Sequence, residues 1–548
     1  MRIKSLRSEQ LTLLAALFFV FACNSVFWTR LLAVLQPHRA GDWLFVGVFA
    51  LVLLLLFNLA LTLLAMPYVL RPALTLLLLI TPVVVYFMDA YGVMINVDML
   101  RNAAQTDPAE TRDLLTLKMG LYWLLLGGVP LFALWRTPLV YRSLKKEALL
   151  KMGIVGGSAV LIAMLSFSFY KDFASVFRNY RELRFILAPT NYLQAASKFI
   201  QHSANLKPIK AEPIATDAHR LISAKQVSEE NKKPTLTFIV VGETARAANF
   251  SLNGYARKTN PLLEQQAGLI YFKQMQSCGT DTAVSVPCMF SKFGRNDYSH
   301  SIALHHQGLL DVLQQVGYKV LWRDNQSGCK GACDRLPTEN TANLKDPALC
   351  KSGECWDEIL LQGLQDKIDH LTQDTVIVLH MMGSHGPAYY KRYPPAFEVF
   401  KPVCKTSQLD LCTRDEIVNA YDNSLRYTDY VLSSLIDVLR SNSTKVDSSM
   451  TYISDHGESL GENGMYLHGT PYMLAPDEQT HVPAMMWLSD GYAQQAKVDL
   501  NCLKKQATVK HSHDDLFHST LSQLKIQTKE YRADRDWFAA CRSSGAGL

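Results

Sequence analysis

The chain has 548 residues, of which 49% are hydrophobic and only 19% charged. Charged content below the roughly 25% of ordinary soluble chains excludes a disordered protein and argues against a purely soluble enzyme. A net charge of +6 is too mild for nucleic-acid binding, and no basic stripe of the kind such binding needs is present.

Five windows read as membrane spans: residues 11–35, 43–70, 72–88, 119–135 and 152–170. Each has about 17 or more residues nearly without charge, close to what a ~30 Å hydrocarbon layer requires. The first is too long for a cleavable signal peptide and has no small-residue cleavage site after it. Arg2, Lys4, Arg7, Arg71, Arg136, Arg142, Lys145, Lys146 and Lys151 fall on one side of these spans. That excess marks the cytoplasmic side. The N-terminus is therefore expected inside, and everything after Tyr170 outside.

The outer loop between spans three and four carries Asn102, Thr106 and Glu110 at i, i+4 and i+8. The spacing puts them on one helical face, which Pro108 kinks. That face is either solvated or a polar contact for a lipid head group. After the last span, Phe173, Val176, Phe177, Tyr180, Leu183 and Leu187 recur at helical spacing. Such an amphipathic helix can lie on an anionic membrane surface or pack on the soluble domain. Residues 203–234 are polar with scattered prolines and read as a linker. The expected domains are thus 1–171 in the membrane, 172–234 as amphipathic helix and linker, and 235–548 as the outer globular domain.

In the outer domain, four apolar runs each lead into polar residues. Leu236–Val241 precedes Gly242-Glu243-Thr244, and Tyr318–Trp322 precedes Arg323-Asp324-Asn325. Val376–Leu379 leads toward Gly383-Ser384-His385-Gly386, and Met450–Ser454 into Asp455-His456-Gly457-Glu458. Helical stretches such as Glu416–Arg440 lie between them, so an α/β fold with a largely parallel sheet is expected. Ligands of such sheets bind beyond the carboxyl ends of the strands. Glu243, His385, Asp455 and His456 can therefore converge, and their chemistry suits a borderline cation such as zinc. Thr282 follows Cys278-Gly279-Thr280-Asp281; its hydroxyl is either a helix N-cap or a nucleophile awaiting activation.

Ten of the eleven cysteines lie in this exported region, which favours disulfides. Proximity predicts Cys278–Cys288, Cys329–Cys333, Cys350–Cys355 and Cys404–Cys412, and elimination leaves Cys502–Cys541. A zinc site from Cys329, Cys333, Cys350 and Cys355 is the rival. Cys23, inside span one, reads as an apolar filler.

Five motifs come in a fixed order: Val241-Gly242-Glu243-Thr244-Ala245-Arg246, Ser277–Thr282, Gly383-Ser384-His385-Gly386-Pro387, Ser454–Glu462 and Leu467-His468-Gly469. Together they closely resemble the lipid A phosphoethanolamine transferases of Gram-negative bacteria. That group includes the mobile colistin-resistance enzymes and belongs to the alkaline phosphatase/sulfatase superfamily. The resemblance spans essentially the whole chain. It implies a five-helix transmembrane domain followed by a periplasmic α/β/α alkaline-phosphatase-like domain, in a multi-pass protein of the bacterial inner membrane.

The resemblance also implies residue roles. Thr282 would be the nucleophile, with Thr280 a neighbour. Glu243, Thr282, Asp455 and His456 would hold zinc. His385 and His468 would contact substrate phosphate or a second zinc. Lys330 would contact phosphate, and Asn102, Thr106 and Glu110 lipid. Gln326 departs from the Asn of some relatives, which leaves its part in substrate contact open. The implied reaction is ping-pong transfer from phosphatidylethanolamine to lipid A phosphate through a phosphothreonine, by a monomer with no nucleic-acid partner. Cationic peptides such as polymyxins would then bind the surface less well. A core-sugar acceptor is the main alternative. A sulfatase would need Cys/Ser-x-Pro-x-Arg, which the turn lacks. A membrane receptor with a dead phosphatase-like domain should have lost Thr282 or a ligand.

Overall fold

The structure is a computed structural model that describes residues 5–106, 108–204, 211–221, 233–351 and 353–542. It divides into two compact units: Met1–Leu100 with Leu115–Ile200, and Arg101–Leu114 with Gln201–Leu548.

In the first unit, four helices are long and apolar enough to cross a membrane: Ala40–Leu63, Leu70–Tyr91, Leu117–Arg136 and Leu144–Ser168. A fifth candidate is a bent pair, Ser8–Ala22 and Ser25–Leu35, with a 59° angle between them. Hydropathy alone predicts one unbroken span here. Asn24 explains the break. Its side chain donates to the Phe19 and Ala188 carbonyls, each at 2.7 Å, and accepts from the Ala188 N–H at 2.8 Å. A buried amide needs such partners, and these are reached only where the helix opens.

The amphipathic stretch also differs from one continuous helix. It is Tyr170–Asn179 followed by a 3-10 turn, Arg181–Phe185. Phe173 sits 5.1 Å from Phe45 and 5.4 Å from Phe49 between ring centroids. Its apolar face therefore packs on the second span, while Phe177 remains exposed. A further helix, Thr190–Ala204, which the sequence pattern did not single out, follows and ends at the start of the 203–234 linker. Most of the 203–234 linker lies outside the described residues.

The second unit is built on an eight-stranded sheet. Its strands are β1 (Thr235–Gly242), β2 (Ile270–Gln276), β3 (Lys319–Asp324), β4 (Thr338–Asn340), β5 (Thr375–His380), β6 (Asp447–Ser454), β7 (His481–Leu488) and β8 (Lys510–Ser512). Their spatial order is β8-β2-β7-β6-β1-β5-β3-β4. Only β7 runs antiparallel to its neighbours β6 and β2. Strands β1 and β5 are buried along their whole length. Such continuous apolar runs are what a parallel sheet covered on both faces requires.

Register decides where the chemistry sits. Ser454 pairs with Gly242, His380 with Val241, and His380 also with Asp324. Four strands therefore end level, and the polar segments that follow them leave from the same edge of the sheet. Beneath that edge, Trp322, Phe272, Phe290, Met289 and Leu310 belong to one buried apolar cluster.

Arg101–Leu114 belongs to this unit. The face expected for Asn102, Thr106 and Glu110 is split between two helices, Val97–Gln105 and Pro108–Leu114. Pro108 lacks an N–H and opens a new helix rather than kinking the first. Thr106 donates its hydroxyl to the Asn102 carbonyl at 2.9 Å. The Glu110 side chain lies outside the described residues.

Candidate active site and metal centre

Glu243 directly follows β1, and Asp455 and His456 directly follow β6. All three are fully buried. Each can offer one ligand atom, and those atoms lie within 4.8 Å of one another. Thr282 enters from the turn after β2. The cap of its helix, Thr282–Met289, is not Thr282 but Asp281, whose carboxylate accepts from the Val284 N–H at 3.1 Å. Thr282 is thereby left for other contacts. Its hydroxyl lies 3.2 Å from each Glu243 oxygen and 3.3 Å from His456 Nε2. Thr280 instead donates its hydroxyl to the Thr470 carbonyl at 2.7 Å.

The donors fit a cation. His456 Nδ1 is 2.9 Å from the Gly457 carbonyl, so Nδ1 carries the proton and the Nε2 lone pair faces the site. Asp455 Oδ2 is buried with no hydrogen-bond partner among the described residues and lies 3.3 Å from that Nε2. A buried carboxylate oxygen without a donor is costly unless a cation compensates it. Burial, then neighbouring His468, pushes the His456 pKa down to about 3. The same two causes hold His385 well below the usual imidazole range. Neutral imidazoles are the form a metal ligand requires.

A second ring of groups stands over this cluster. The His468 ring lies 4.4 Å from that of His456 and 5.4 Å from that of His385. Glu458 is fully buried and accepts from His468 Nδ1 at 2.8 Å and from the Tyr389 hydroxyl at 2.5 Å. His385 rides on a loop after β5. Asp357 holds that loop by accepting the Met382 and Gly383 N–H groups at 2.7 and 2.8 Å. Gly383 has φ +55°, and a Cβ there would sit 2.5 Å from the Glu243 carbonyl oxygen. Only glycine allows the loop to pass that close.

Lys330 lies in the loop closed by Cys329–Cys333. Its ammonium donates to Ser327 Oγ at 2.6 Å and to the Gln105 carbonyl at 3.2 Å. The other bridges are Cys278–Cys288, Cys350–Cys355, Cys404–Cys412 and Cys502–Cys541. The four cysteines of the rival zinc site are thus spent in two disulfides, and Cys23 is a buried unpaired thiol.

Known proteins match this chain along its length. A family described as Sulfatase matches residues 235–526, and one described as Phosphoethanolamine transferase EptA/EptB matches residues 53–204. The Escherichia coli K12 phosphoethanolamine transferase EptA is 43% identical over 97% of this chain and 96% of its own. The chain belongs to the EptA-type phosphoethanolamine transferases. The Escherichia coli phosphatidylethanolamine transferase Mcr-1 is 39% identical over 86% of this chain and 88% of its own. The integral membrane lipooligosaccharide phosphoethanolamine transferase A of Neisseria meningitidis superposes with a TM-score of 0.93 at 36% identity. That match covers 98% of this chain and 99% of the other.

In this phosphoethanolamine transferase, a cavity of about 1190 Å³ opens beside Gln326 and Lys330, with Gln105 and Arg112 on its wall. Three residues in or behind the site carried no assigned role in the sequence reading. Glu458 lay inside a recognised motif, which was the one available signal. Asp357 and His513 had none. His513 accepts the Cys278 N–H at Nδ1 (3.1 Å) and meets the Ser454 carbonyl at Nε2 (2.9 Å). It is fully buried and so ties the Thr282 turn to the end of β6.

Proposed function

We propose that this enzyme transfers phosphoethanolamine from phosphatidylethanolamine to phosphate groups of lipid A, using Thr282 as covalent carrier and zinc as metal. The observation that carries the reading is the Thr282 hydroxyl set between Glu243 and His456 within a buried ligand set. Glu243, Thr282, Asp455 and His456 would hold the ion; one nitrogen with carboxylate and hydroxyl oxygens suits zinc. Bound zinc supplies a Lewis acid that offsets negative charge on the reacting oxygens.

The residues account for the remaining steps. Glu243 accepts the Thr282 proton as Oγ1 bonds to phosphorus and the diacylglycerol oxygen–phosphorus bond breaks. His468 in its protonated form gives a proton to the departing diacylglycerol oxygen and is reprotonated from solvent in the second half-reaction. A lipid A phosphate oxygen then bonds to the same phosphorus, the Thr282 oxygen–phosphorus bond breaks, and Thr282 regains its proton. Lys330 counters charge on the non-bridging oxygens. Glu458 fixes the ring orientation of His468 through Nδ1, which leaves Nε2 for proton exchange. A second zinc at His385 and His468 is compatible with their 5.4 Å ring separation.

The lysine and arginine distribution supports a cytoplasmic N-terminus, and the disulfides support a periplasmic catalytic domain in a bacterial inner membrane. Residues 235–548 are read as that domain, and Asn102, Thr106 and Glu110 as lipid contacts. Metal analysis tests the ligand set. Glu243→Ala, Asp455→Ala and His456→Ala should each lose zinc and transfer activity, while the disulfide-bonded domain still folds. Full zinc occupancy in all three variants would remove these residues from the set.

A further inference from the structure

The geometry points to Gln326 as a positioning residue that orients Glu243 and couples it to Lys330, rather than as a contact to substrate phosphate. This rests on the ligand set proposed above.

Gln326 Nε2 donates to Glu243 Oε2 at 2.9 Å. Its Oε1 accepts from the Ser327 hydroxyl at 2.6 Å and from the Ser327 backbone N–H. The Ser327 hydroxyl in turn accepts from Lys330 Nζ at 2.6 Å. The Gln326 backbone is anchored as well, its N–H donating to Asp324 Oδ1 at 2.7 Å at the end of β3. The partners fix the amide orientation. Turned over, Oε1 would face a carboxylate and the NH₂ group would face an N–H donor.

This arrangement divides the two Glu243 oxygens. Oε2 takes the Gln326 amide, while Oε1 faces His456 Nε2 at 3.5 Å. The oxygen on the side of His456 and Asp455 is therefore the one presented to a cation. Hydrogen bonds of this outer kind orient metal ligands, and losing one typically costs about 10–100-fold in affinity or activity. The N–H that reaches Glu243 is not available to a phosphate, and Oε1, an acceptor already taken by Ser327, offers it no donor. Asn, one methylene shorter, cannot span the same gap from an unchanged backbone.

The test uses the full-length protein in detergent. Zinc affinity is measured by competition with a chromophoric chelator, and kcat and KM are measured with phosphatidylethanolamine. Gln326→Leu keeps bulk but no donor. It should weaken zinc binding by about 10-fold or more and lower kcat, leaving KM and the melting temperature of the metal-free protein near wild type. Gln326→Asn, too short to reach Glu243, should weaken zinc binding about as much as Leu, and it carries the comparison if the Leu variant does not fold. Wild-type zinc affinity with a raised KM in either variant would overturn the inference and make Gln326 a substrate contact. Glu243→Ala runs in parallel. If it loses zinc and Gln326→Leu does not, the inference alone fails; if it keeps zinc, the ligand set fails and the inference with it.

Discussion

Thr282 sits in the first turn of a helix that another residue caps, and this separation leaves its hydroxyl for chemistry. Asp281 satisfies the Val284 N–H, so the Thr282 hydroxyl can stay among Glu243 and His456. Thr280, two residues earlier, spends its own hydroxyl on the Thr470 carbonyl. If Thr282 is the carrier, Thr282→Ala should transfer nothing and bind zinc weakly. Thr282→Ser should keep reduced activity, because the hydroxyl survives while the β-branch that restricts its rotamer is lost. Thr280→Ala should be milder. Incubation with phosphatidylethanolamine and no acceptor, followed by peptide mass spectrometry, should place a phosphoethanolamine adduct on the Thr282 peptide. An adduct on Thr280, or an active Thr282→Ala enzyme, would sink the assignment.

Separate elements have to be held in register before those residues can meet, and His513 is one of the ties. The turn after β2 and the end of β6 share this buried imidazole. Burial pushes its pKa down to about 4, which keeps it a neutral acceptor–donor pair at neutral pH. His513→Ala strands a backbone N–H and a carbonyl in the interior, each worth about 1–3 kcal/mol when unpaired. Its melting temperature and kcat should both fall. His513→Gln offers one acceptor and one donor and should recover part of each, whereas Phe should not; equal behaviour of Gln and Phe would reduce the role of His513 to filling space. A lone His far from any motif carries no sequence signal, so this tie was not legible. The central strands were, because runs such as Leu236–Val241 are apolar throughout and end in polar residues. Strands β2, β4, β7 and β8 were not singled out. β4 and β8 are three residues each, and Ile270–Gln276 interleaves Lys273 and Gln274 with its apolar positions. The four membrane-length helices and the bent pair before them were legible by hydropathy, but the break in that pair was not. Asn24 finds its partner at Ala188, far away in sequence. The split of the Asn102–Glu110 face was half legible, since Pro108 announced it.

The whole molecule joins a unit of membrane-length helices to a unit that carries every disulfide. That pairing suits a reaction in which donor and acceptor are both lipids, held at the membrane while the chemistry proceeds in an oxidising compartment. The proposed product has a physical consequence. A phosphate monoester carries roughly 1.5–2 negative charges near pH 7. Joining phosphoethanolamine to it gives a diphosphate diester with one negative charge on each phosphorus and one ammonium, so the net charge of the group falls toward about −1. Polycations attracted to the surface by its phosphates should bind less well. Bacteria producing this chain should therefore yield lipid A heavier by one or more phosphoethanolamine groups and should tolerate more polymyxin than cells producing Thr282→Ala. Mass spectrometry of hydrolysed lipid A, run beside that of the core oligosaccharide, separates the acceptors. Lipid A unchanged with a modified core sugar would transfer the acceptor assignment to the core. Modified lipid A without any gain in polymyxin tolerance would leave the enzymology standing and remove the resistance reading.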